Sequence, residues 1–263
     1  MKIIDAHAHI FPEKIAEKAV ASIGSFYNMD GMSHCGTTDA LLESGSKIGT
    51  EKYLVFSTAT TAAQVESINR FIHSECEKHS EFIGLGTMHP DYKDFEKEID
   101  FLKSAGMKGI KLHPDFQKFA VDDEKLWGLY DYLSENNMFV LTHSGDSRYN
   151  FSNPFRVARM AKMFPKLIFI AAHFGGWSEW EAAKEELNLP NVYFDTSSTL
   201  GFGAAKTALK TLDKFDKTHF FFGTDFPMWD HEKELKRFLA LGLSDKLNED
   251  ILYNNFSNFY KER

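Results

Sequence analysis

The 263-residue sequence has no apolar run approaching the roughly 20 residues that a membrane-spanning helix needs. Its first residues, MKIIDAHAHIFPEK, lack the apolar segment of a secretory signal, because aspartate and histidine interrupt them early. It has only two cysteines, Cys35 and Cys76, whose spacing suits neither a metal site nor a pair. We therefore expect no membrane partner, two free thiols and a reducing, cytoplasmic location.

Basic residues are outnumbered in this sequence, with 30 lysines and arginines against 38 acidic residues and a formal net charge of −8. Sequence-independent nucleic-acid binding depends on concentrated positive charge, so this balance argues against a nucleic-acid partner. No linker, low-complexity tract or internal repeat divides the chain. We expect a single domain over residues 1–263 that acts on a small-molecule substrate, and the composition leaves a homodimer open.

Short apolar runs alternate with longer amphipathic stretches along the whole chain. Eight runs are predicted to be strands: 2–9, 53–57, 82–88, 109–113, 139–143, 167–173, 192–195 and 220–224. The main stretches that follow them are predicted to be helices: 13–23, 64–79, 94–105, 124–135, 154–163, 179–186, 204–212 and 231–240. Strict alternation of this kind predicts parallel strands joined by helical crossovers. Eight such units predict a closed (β/α)8 TIM barrel, which typically needs roughly 250 residues.

Two segments fall outside this repeat. Residues 25–50 are predicted to form an insertion after the first helix, with a short helix at 38–48 near the barrel mouth. Residues 245–261 are predicted to form an added C-terminal helix on the outside of the barrel. Asp122 precedes the fourth helix, and we expect it to cap that helix.

Polar side chains that can bind a metal or move a proton lie where predicted strands end. His7 and His9 are two positions apart in the first strand, so their side chains point to the same face. The fifth, sixth and eighth strands end in His143, His173 and Asp225. Since the carboxyl ends of the strands build the active site of such barrels, we expect these groups to converge there.

Each of these residues has an ordinary explanation when it is taken singly. A lone His-x-His pair is weak evidence for a metal, and a single strand-end histidine is more often a satisfied core or surface residue. Burying all of these ionisable groups without a metal or a charge partner would be costly. The joint pattern therefore predicts a metal site.

Five motifs in order give the sequence a resemblance to the amidohydrolase superfamily: DAHAH (5–9), GIKLHP (109–114), LTHSGD (141–146), AAHFGG (171–176) and GTDFP (223–227). The chain most resembles the amidohydrolase-related branch that includes 2-amino-3-carboxymuconate-6-semialdehyde decarboxylase and related decarboxylases. The resemblance runs from the first strand to the eighth. It is specific to the superfamily and says much less about the substrate.

This resemblance implies a role for each matching residue. His7, His9, His143 and Asp225 would bind one metal ion. Three histidines and a carboxylate suit Zn²⁺, with Mn²⁺, Fe²⁺ or Co²⁺ as alternatives. Asp225 would also move the proton of a metal-activated water, and His173 would be the second catalytic residue, contacting the water or the substrate.

Lys111 allows two interpretations. Binuclear members of the superfamily carry a carboxylated lysine near this point, which bridges two metals and would make His173 a ligand as well. In the branch that this chain resembles, the lysine is more often a substrate-binding cation. We favour one metal, with Lys111 and His113 facing the substrate. A simple ion pair of Lys111 with a neighbouring carboxylate is the structural alternative.

The remaining candidates lie just past the strand ends. Phe11 and Trp177 would wall the substrate pocket, as would Trp229 after the eighth strand. Asp146 and Arg148 follow the fifth strand, and Arg148 would pair with a substrate carboxylate unless it is an exposed loop residue. Asp195 would either orient a ligand histidine or cap the next helix. The other histidines are interpreted as bystanders, with His89 at the rim: His34, His73, His79, His219 and His231.

Four functions fit this pattern to different degrees. We favour hydrolysis of an amide, lactone or ester carbonyl in a small molecule. Nonoxidative decarboxylation or hydration of an unsaturated or aromatic acid would use the same metal set, but the short chain favours hydrolysis. A TatD-type nuclease should carry a glutamate on the fourth strand, where this sequence has Lys111 and His113. A non-catalytic metal-binding protein fits poorly, because every catalytic position is filled.

Overall fold

The structure, a computed structural model, describes residues 1–29 and 31–263. Its strand segments are β1 (Ile3–His9), β2 (Thr50–Phe56), β3 (Phe82–Gly84), β4 (Gly86–Thr87), β5 (Gly109–Leu112), β6 (Phe139–Thr142), β7 (Ile168–Ala171), β8 (Val192–Asp195) and β9 (Phe220–Phe221). The α-helices are α1 (Glu13–Tyr27), α2 (Thr38–Ser46), α3 (Val65–Lys78), α4 (Phe95–Ser104), α5 (Pro114–Gln117), α6 (Trp127–Glu135), α7 (Pro154–Met163), α8 (Trp180–Glu186), α9 (Ala205–Lys214), α10 (His231–Leu239), α11 (Asp245–Glu249) and α12 (Asn255–Lys261). Within the described ranges, no helix combines the length and apolarity needed to cross a membrane.

All paired strands are parallel and follow one another in chain order, as β1-β2-β3 and β4-β5-β6-β7-β8-β9. The short segments β3 and β4 are two halves of one barrel strand, interrupted at Leu85, whose N–H still donates to the carbonyl of Val55. The ring closes where Ala8 pairs with Phe226 and the Ala6 N–H donates to the Phe222 carbonyl at 2.8 Å. The predicted (β/α)8 barrel is therefore confirmed.

Two apolar clusters build this fold, and strand residues alternate between them. On β7, Ile168 and Ile170 belong to the cluster inside the barrel, whereas Phe169 and Ala171 belong to the cluster between strands and helices. The interior cluster is completed by two phenylalanines of the C-terminal helix, Phe256 and Phe259. The interior is filled with side chains at that level, and the carboxyl ends of the strands lie toward the other end of the barrel.

The first strand contains a β-bulge that aims its histidines. In the pairing of β1 with β2, Asp5 lies opposite Tyr53 and Ala8 lies opposite Val55, so β1 has one residue more than its partner over this interval. A bulge of this kind bends the strand and changes which side chains face inward. With this bulge, the ring centres of His7 and His9 lie 5.1 Å and 4.8 Å from the centre of the Phe56 ring, which belongs to the interior cluster.

Some predicted boundaries are corrected by the structure. The first helix continues to Tyr27, so the start of the predicted insertion is helical, and the insertion's own helix ends at Ser46 rather than 48. Asp122 was expected to cap the fourth predicted helix, but Asp123 does so by accepting the Lys125 N–H. The cap lies one residue later because this segment begins with a 3-10 turn at 124.

The freed carboxylate of Asp122 instead pairs with two arginines of α7, Arg156 at 2.6 Å and Arg159 at 3.0 Å. The four-residue helix α5 was not predicted, because one turn is too short to show helical periodicity. The predicted C-terminal helix over 245–261 is present as α11, a π-helical turn and α12 in direct succession.

Candidate metal centre and active site

Three side chains from the first and last barrel strands converge at the mouth. His7 Nε2 lies 3.4 Å and His9 Nε2 3.5 Å from the same oxygen, Asp225 Oδ1. Both distances exceed those of charge-assisted hydrogen bonds, about 2.7–2.9 Å. They match the edge of a tetrahedron around a zinc ion with bonds near 2.1 Å, which is about 3.4 Å. The distance of each histidine from Asp225 is therefore that expected for two ligands of one metal ion.

A carboxylate at the end of β8 fixes the orientation of the His7 ring. His7 Nδ1 lies 2.8 Å from Asp195 Oδ2, and both side chains are buried. Burial by itself would raise the pKa of Asp195, but His7 and His173 hold it well below its usual range. The ionised carboxylate accepts the Nδ1 proton, so His7 presents the lone pair of Nε2 toward Asp225. Of the two roles considered for Asp195, its contacts favour orientation of a histidine.

The strand-end histidines His143 and His173 contact each other. His173 Nε2 lies 3.0 Å from His143 Nδ1, and His173 Nδ1 lies 2.8 Å from the Ser197 hydroxyl. Ligand atoms of His7, His173 and Asp225 all lie within 4.8 Å of one another. The structure thus groups His173 directly with His7 and Asp225, and connects His143 to that group through His173.

Burial keeps the imidazoles of four of these histidines neutral, namely His9, His113, His143 and His173. It lowers the pKa of His9 and of His173 to about 4, and it lowers the pKa values of His113 and His143 well below the usual value. Burial would raise the pKa of Asp225, but the adjacent His7, His9 and His173 hold it well below its usual range. Neutral imidazole and ionised carboxylate are the forms that bind a divalent metal.

His143 has one ring nitrogen beside Asp115 rather than beside the other metal-binding candidates. Its Nε2 atom and Asp115 Oδ1 are buried without a hydrogen-bond partner among the described residues. Asp115 Oδ2 lies 3.8 Å from His143 Nε2, and burial raises the pKa of Asp115 to about 7. Asp115, His143 and Asp146 form a second close group, but both Asp146 oxygens are occupied by Arg148.

Lys111 lies directly against the metal-binding candidates. Its Nζ atom is 3.2 Å from His7 Nε2 and 5.0 Å from the centre of the Phe56 ring. The side chain is fully buried, and burial lowers its pKa to about 8. A lysine with this pKa has an appreciable neutral fraction near pH 8, so it can serve either as a cation for the substrate or as a nucleophilic amine.

A cavity of about 520 Å³ opens above these residues. Its inner end is formed by most of the predicted site: His7, His9, Phe11, Lys111, His113, His173 and Asp225. Its outer wall is largely apolar and comes from α1 and α3, including Ile15, Ile23, Ile68 and Phe71. Five residues predicted for the site do not line this cavity: His143, Asp146, Arg148, Trp177 and Trp229.

Arg148 is occupied by groups of the protein itself. Its Nε and Nη2 atoms donate to Asp146 at 2.9 and 2.7 Å, and Nη1 donates to the Phe26 carbonyl at 2.7 Å. Its guanidinium also packs 4.8 to 5.3 Å from the rings of Phe26, Tyr27, Tyr149 and Trp177. Arg148 and Asp146 therefore hold the end of α1 in place over the barrel mouth. The N–H donors of Arg148 face protein groups rather than the cavity.

Tyr27 and two serines belong to this site although sequence reasoning did not select them. The Tyr27 hydroxyl lies 2.8 Å from His113 Nε2 and lines the cavity. Burial, reinforced by Asp225, raises the pKa of Tyr27 well above 10. Ser197 contacts His173, and Ser198 donates to Asp225. The polar Ser-Ser pair after β8 could have indicated the two serines, and a first helix extended beyond residue 23 could have indicated Tyr27.

The backbone is strained at the two residues proposed to carry the chemistry. His173 has φ of 62° and Asp225 has φ of 59°. Residues other than glycine rarely adopt this left-handed region, and such strain concentrates at functional sites. The surrounding hydrogen bonds, such as Asp225 N–H to the His7 carbonyl at 2.8 Å, hold this conformation in place.

A closed parallel barrel with histidines and an aspartate at the carboxyl ends of its strands defines a barrel enzyme of the amidohydrolase type. The chain belongs to the amidohydrolase family Amidohydro_2, which matches residues 4–261. The resemblance stated from the motifs is thus confirmed, and the chain is an enzyme of the amidohydrolase superfamily. No curated protein matches the chain.

Solved structures share this fold at low sequence identity. An uncharacterized TIM-barrel protein from Bordetella bronchiseptica is 17% identical, with a TM-score of 0.81 and full coverage of both chains. A dihydroxybenzoic acid decarboxylase from Polaromonas sp. JS666, with bound manganese and the inhibitor 2-nitroresorcinol, is 13% identical, with a TM-score of 0.75 over 100% of this chain and 98% of that one. A probable 2-pyrone-4,6-dicarboxylic acid hydrolase from Acinetobacter baumannii is 14% identical, with a TM-score of 0.72 over 99% of this chain and 100% of that one.

Proposed function

We propose that this chain is a metal-dependent hydrolase that cleaves an amide, lactone or ester bond of a small molecule. The observation that carries the proposal is the convergence of His7 and His9 on one oxygen of Asp225 at the floor of the cavity. We assign the metal to these three residues and to His143, with zinc as the expected ion and manganese or iron as alternatives.

When bound, the metal lowers the pKa of a coordinated water toward neutrality and so supplies a nucleophile. Asp225 accepts the proton of the attacking water and returns it to the leaving group. Ser198 donates to Asp225 Oδ2, and the Trp229 Nε1–H donates to Ser198 at 3.0 Å. These bonds orient the carboxylate so that Oδ1 stays on the side of the histidines.

We assign His173 to the substrate side of the centre, where its ring would stabilise the negative charge that develops on the carbonyl oxygen. Its Nδ1 contact with Ser197 and its backbone N–H bond to Asp195 at 3.1 Å hold the ring in place. Lys111 and His113 would bind the polar end of the substrate, and Phe11 would pack against its apolar part.

The proposal is tested by loading the purified chain with zinc or manganese, counting metal per chain, and assaying a panel of esters, lactones and amides. His173→Ala should retain the metal and lose about 100-fold or more in kcat/KM, in the range of a lost oxyanion donor. His73→Ala, a change on the helix α3 at a half-exposed site, is the matched control and should behave like the parent. Full turnover by His173→Ala would contradict the proposal.

Nonoxidative decarboxylation is the second candidate, and the likeness to the manganese-bound dihydroxybenzoic acid decarboxylase favours it. The same residues would bind the metal, while an acid would protonate the carbon that loses CO2. A parallel panel of hydroxybenzoates separates the two reactions. Release of CO2 without any bond hydrolysis would reject the hydrolase in favour of the decarboxylase.

A further inference from the structure

The last residue of α1, Tyr27, reaches into the cavity from above. Its ring is fixed edge-on against Trp177 at 5.3 Å and against Phe26 at 4.9 Å, beneath the guanidinium of Arg148. These contacts hold a partly buried hydroxyl in the lining of the cavity, beside His113.

The direction of the hydrogen bond between Tyr27 and His113 follows from the other nitrogen of the imidazole. The backbone N–H of Phe116 donates to His113 Nδ1 at 3.2 Å, so Nδ1 carries a lone pair and the ring proton lies on Nε2. His113 Nε2 therefore donates to Tyr27 Oη across 2.8 Å. The hydroxyl proton of Tyr27 is not used in that bond.

Among the described residues, His113 Nε2 is the one hydrogen-bond partner of Tyr27 Oη. A hydroxyl that accepts a bond from the protein retains its own proton for an acceptor in the cavity. Because this donor faces the cavity, an oxygen acceptor of a ligand bound there would pair with it. Tyr149, which packs on the same arginine, is about 40% exposed and does not line the cavity.

We propose that Tyr27 donates a hydrogen bond to a carbonyl, enolate or phenolate oxygen of the substrate, and that His113 positions it for this purpose. This inference rests on the proposed function, because it assumes that the substrate occupies the cavity above Asp225. It narrows the substrate class to molecules whose polar end carries an oxygen acceptor within reach of both Tyr27 and Lys111.

The test compares Tyr27→Phe with Tyr149→Phe, which removes a hydroxyl from the same aromatic cluster outside the cavity. The probe is 4-nitrophenol, titrated by absorbance into the zinc-loaded parent and each variant across a range of pH. Tyr27→Phe should weaken binding of the phenolate about 10-fold or more, the range for a bond to a charged acceptor. It should also raise the apparent pKa of the bound probe, while Tyr149→Phe leaves both values unchanged.

Metal content and the thermal unfolding midpoint of each variant show whether the ring packing has survived. Equal affinity in Tyr27→Phe and the parent, an equal loss in Tyr149→Phe, or a parent that does not bind the probe would each overturn the inference. This readout is independent of turnover. A parent that binds the probe through Tyr27 but cleaves no member of the panel would reject the proposed reaction while supporting the role of Tyr27.

Discussion

Replacing Asp195 by asparagine should weaken metal binding without dismantling the barrel. The carboxylate accepts four hydrogen bonds, from His7 Nδ1 at 2.8 Å, His173 N at 3.1 Å, Ser197 N at 3.0 Å and the Ser197 hydroxyl. Asparagine has nearly the same shape, but one of its two polar atoms is a donor. The proton of His7 would then lose its ionised acceptor, and the tautomer with the proton on Nε2 would become accessible.

The size of the effect follows from the bond that is lost. A hydrogen bond to a charged group contributes about 1.5–3 kcal/mol, and each 1.4 kcal/mol corresponds to about tenfold in affinity. Residues that orient a ligand histidine change metal affinity by about 10- to 100-fold when they are mutated. We therefore expect the dissociation constant for zinc to rise by about 10- to 100-fold in Asp195→Asn.

The assay is competition for zinc between the protein and a chromophoric chelator, with the unfolding midpoint measured on the same samples. Asp122→Asn is the matched control, because that aspartate is also buried and ionically paired, with Arg156 and Arg159, but lies away from the cavity. Both variants should lose stability, and only Asp195→Asn should lose zinc. A zinc affinity within twofold of the parent in Asp195→Asn would refute the orienting role.

Two further predictions concern stability. Burial, opposed by the pair with Arg237, raises the pKa of Glu234 from 4.5 to about 7. The stabilisation that comes from keeping this carboxyl protonated in the folded state is therefore fully present below pH 4.5 and is lost as the pH rises through 7. Glu234→Gln should therefore gain on the order of 2 kcal/mol relative to the parent between pH 5 and pH 8 by urea unfolding, and parallel curves would contradict this. Gly109→Ala should destabilise the fold by about 1–3 kcal/mol, because the new Cβ would lie 2.5 Å from the Phe139 carbonyl oxygen. Gly128→Ala is the control within helix α6: its Cβ would have no contact closer than 3.4 Å, so the free energy of unfolding should rise by up to about 1 kcal/mol. Equal changes in the free energy of unfolding of the two variants would contradict this prediction.

The barrel and the strand-end positions of the main candidate residues could be predicted because their signals are local. Each strand is a short apolar run, and His143, His173 and Asp225 follow such runs directly. In a parallel barrel the carboxyl ends of all strands face the same side, so order along the chain is enough to bring these residues together. No long-range detail was needed for that inference.

The roles that could not be predicted depend on contacts between distant segments. Arg148 follows a strand and resembles a free cation in sequence, but its carbonyl partner, Phe26, is 122 positions away. Tyr27 was missed because the first helix extends beyond its predicted end and over the mouth. Likewise, the bulge in β1 depends on pairing with β2, which no alternation pattern within one strand reveals.

The positive φ angles at His173 and Asp225 carry a conformational free-energy cost at two positions whose side chains are proposed to act in catalysis. Each conformation costs on the order of 1–3 kcal/mol in a residue other than glycine, so glycine would relax the backbone and remove the functional side chain at once. A lineage of this barrel that is no longer selected for catalysis would gain stability by that exchange. We therefore expect that a homologous barrel with glycine at either position keeps the fold and no longer catalyses the proposed reaction.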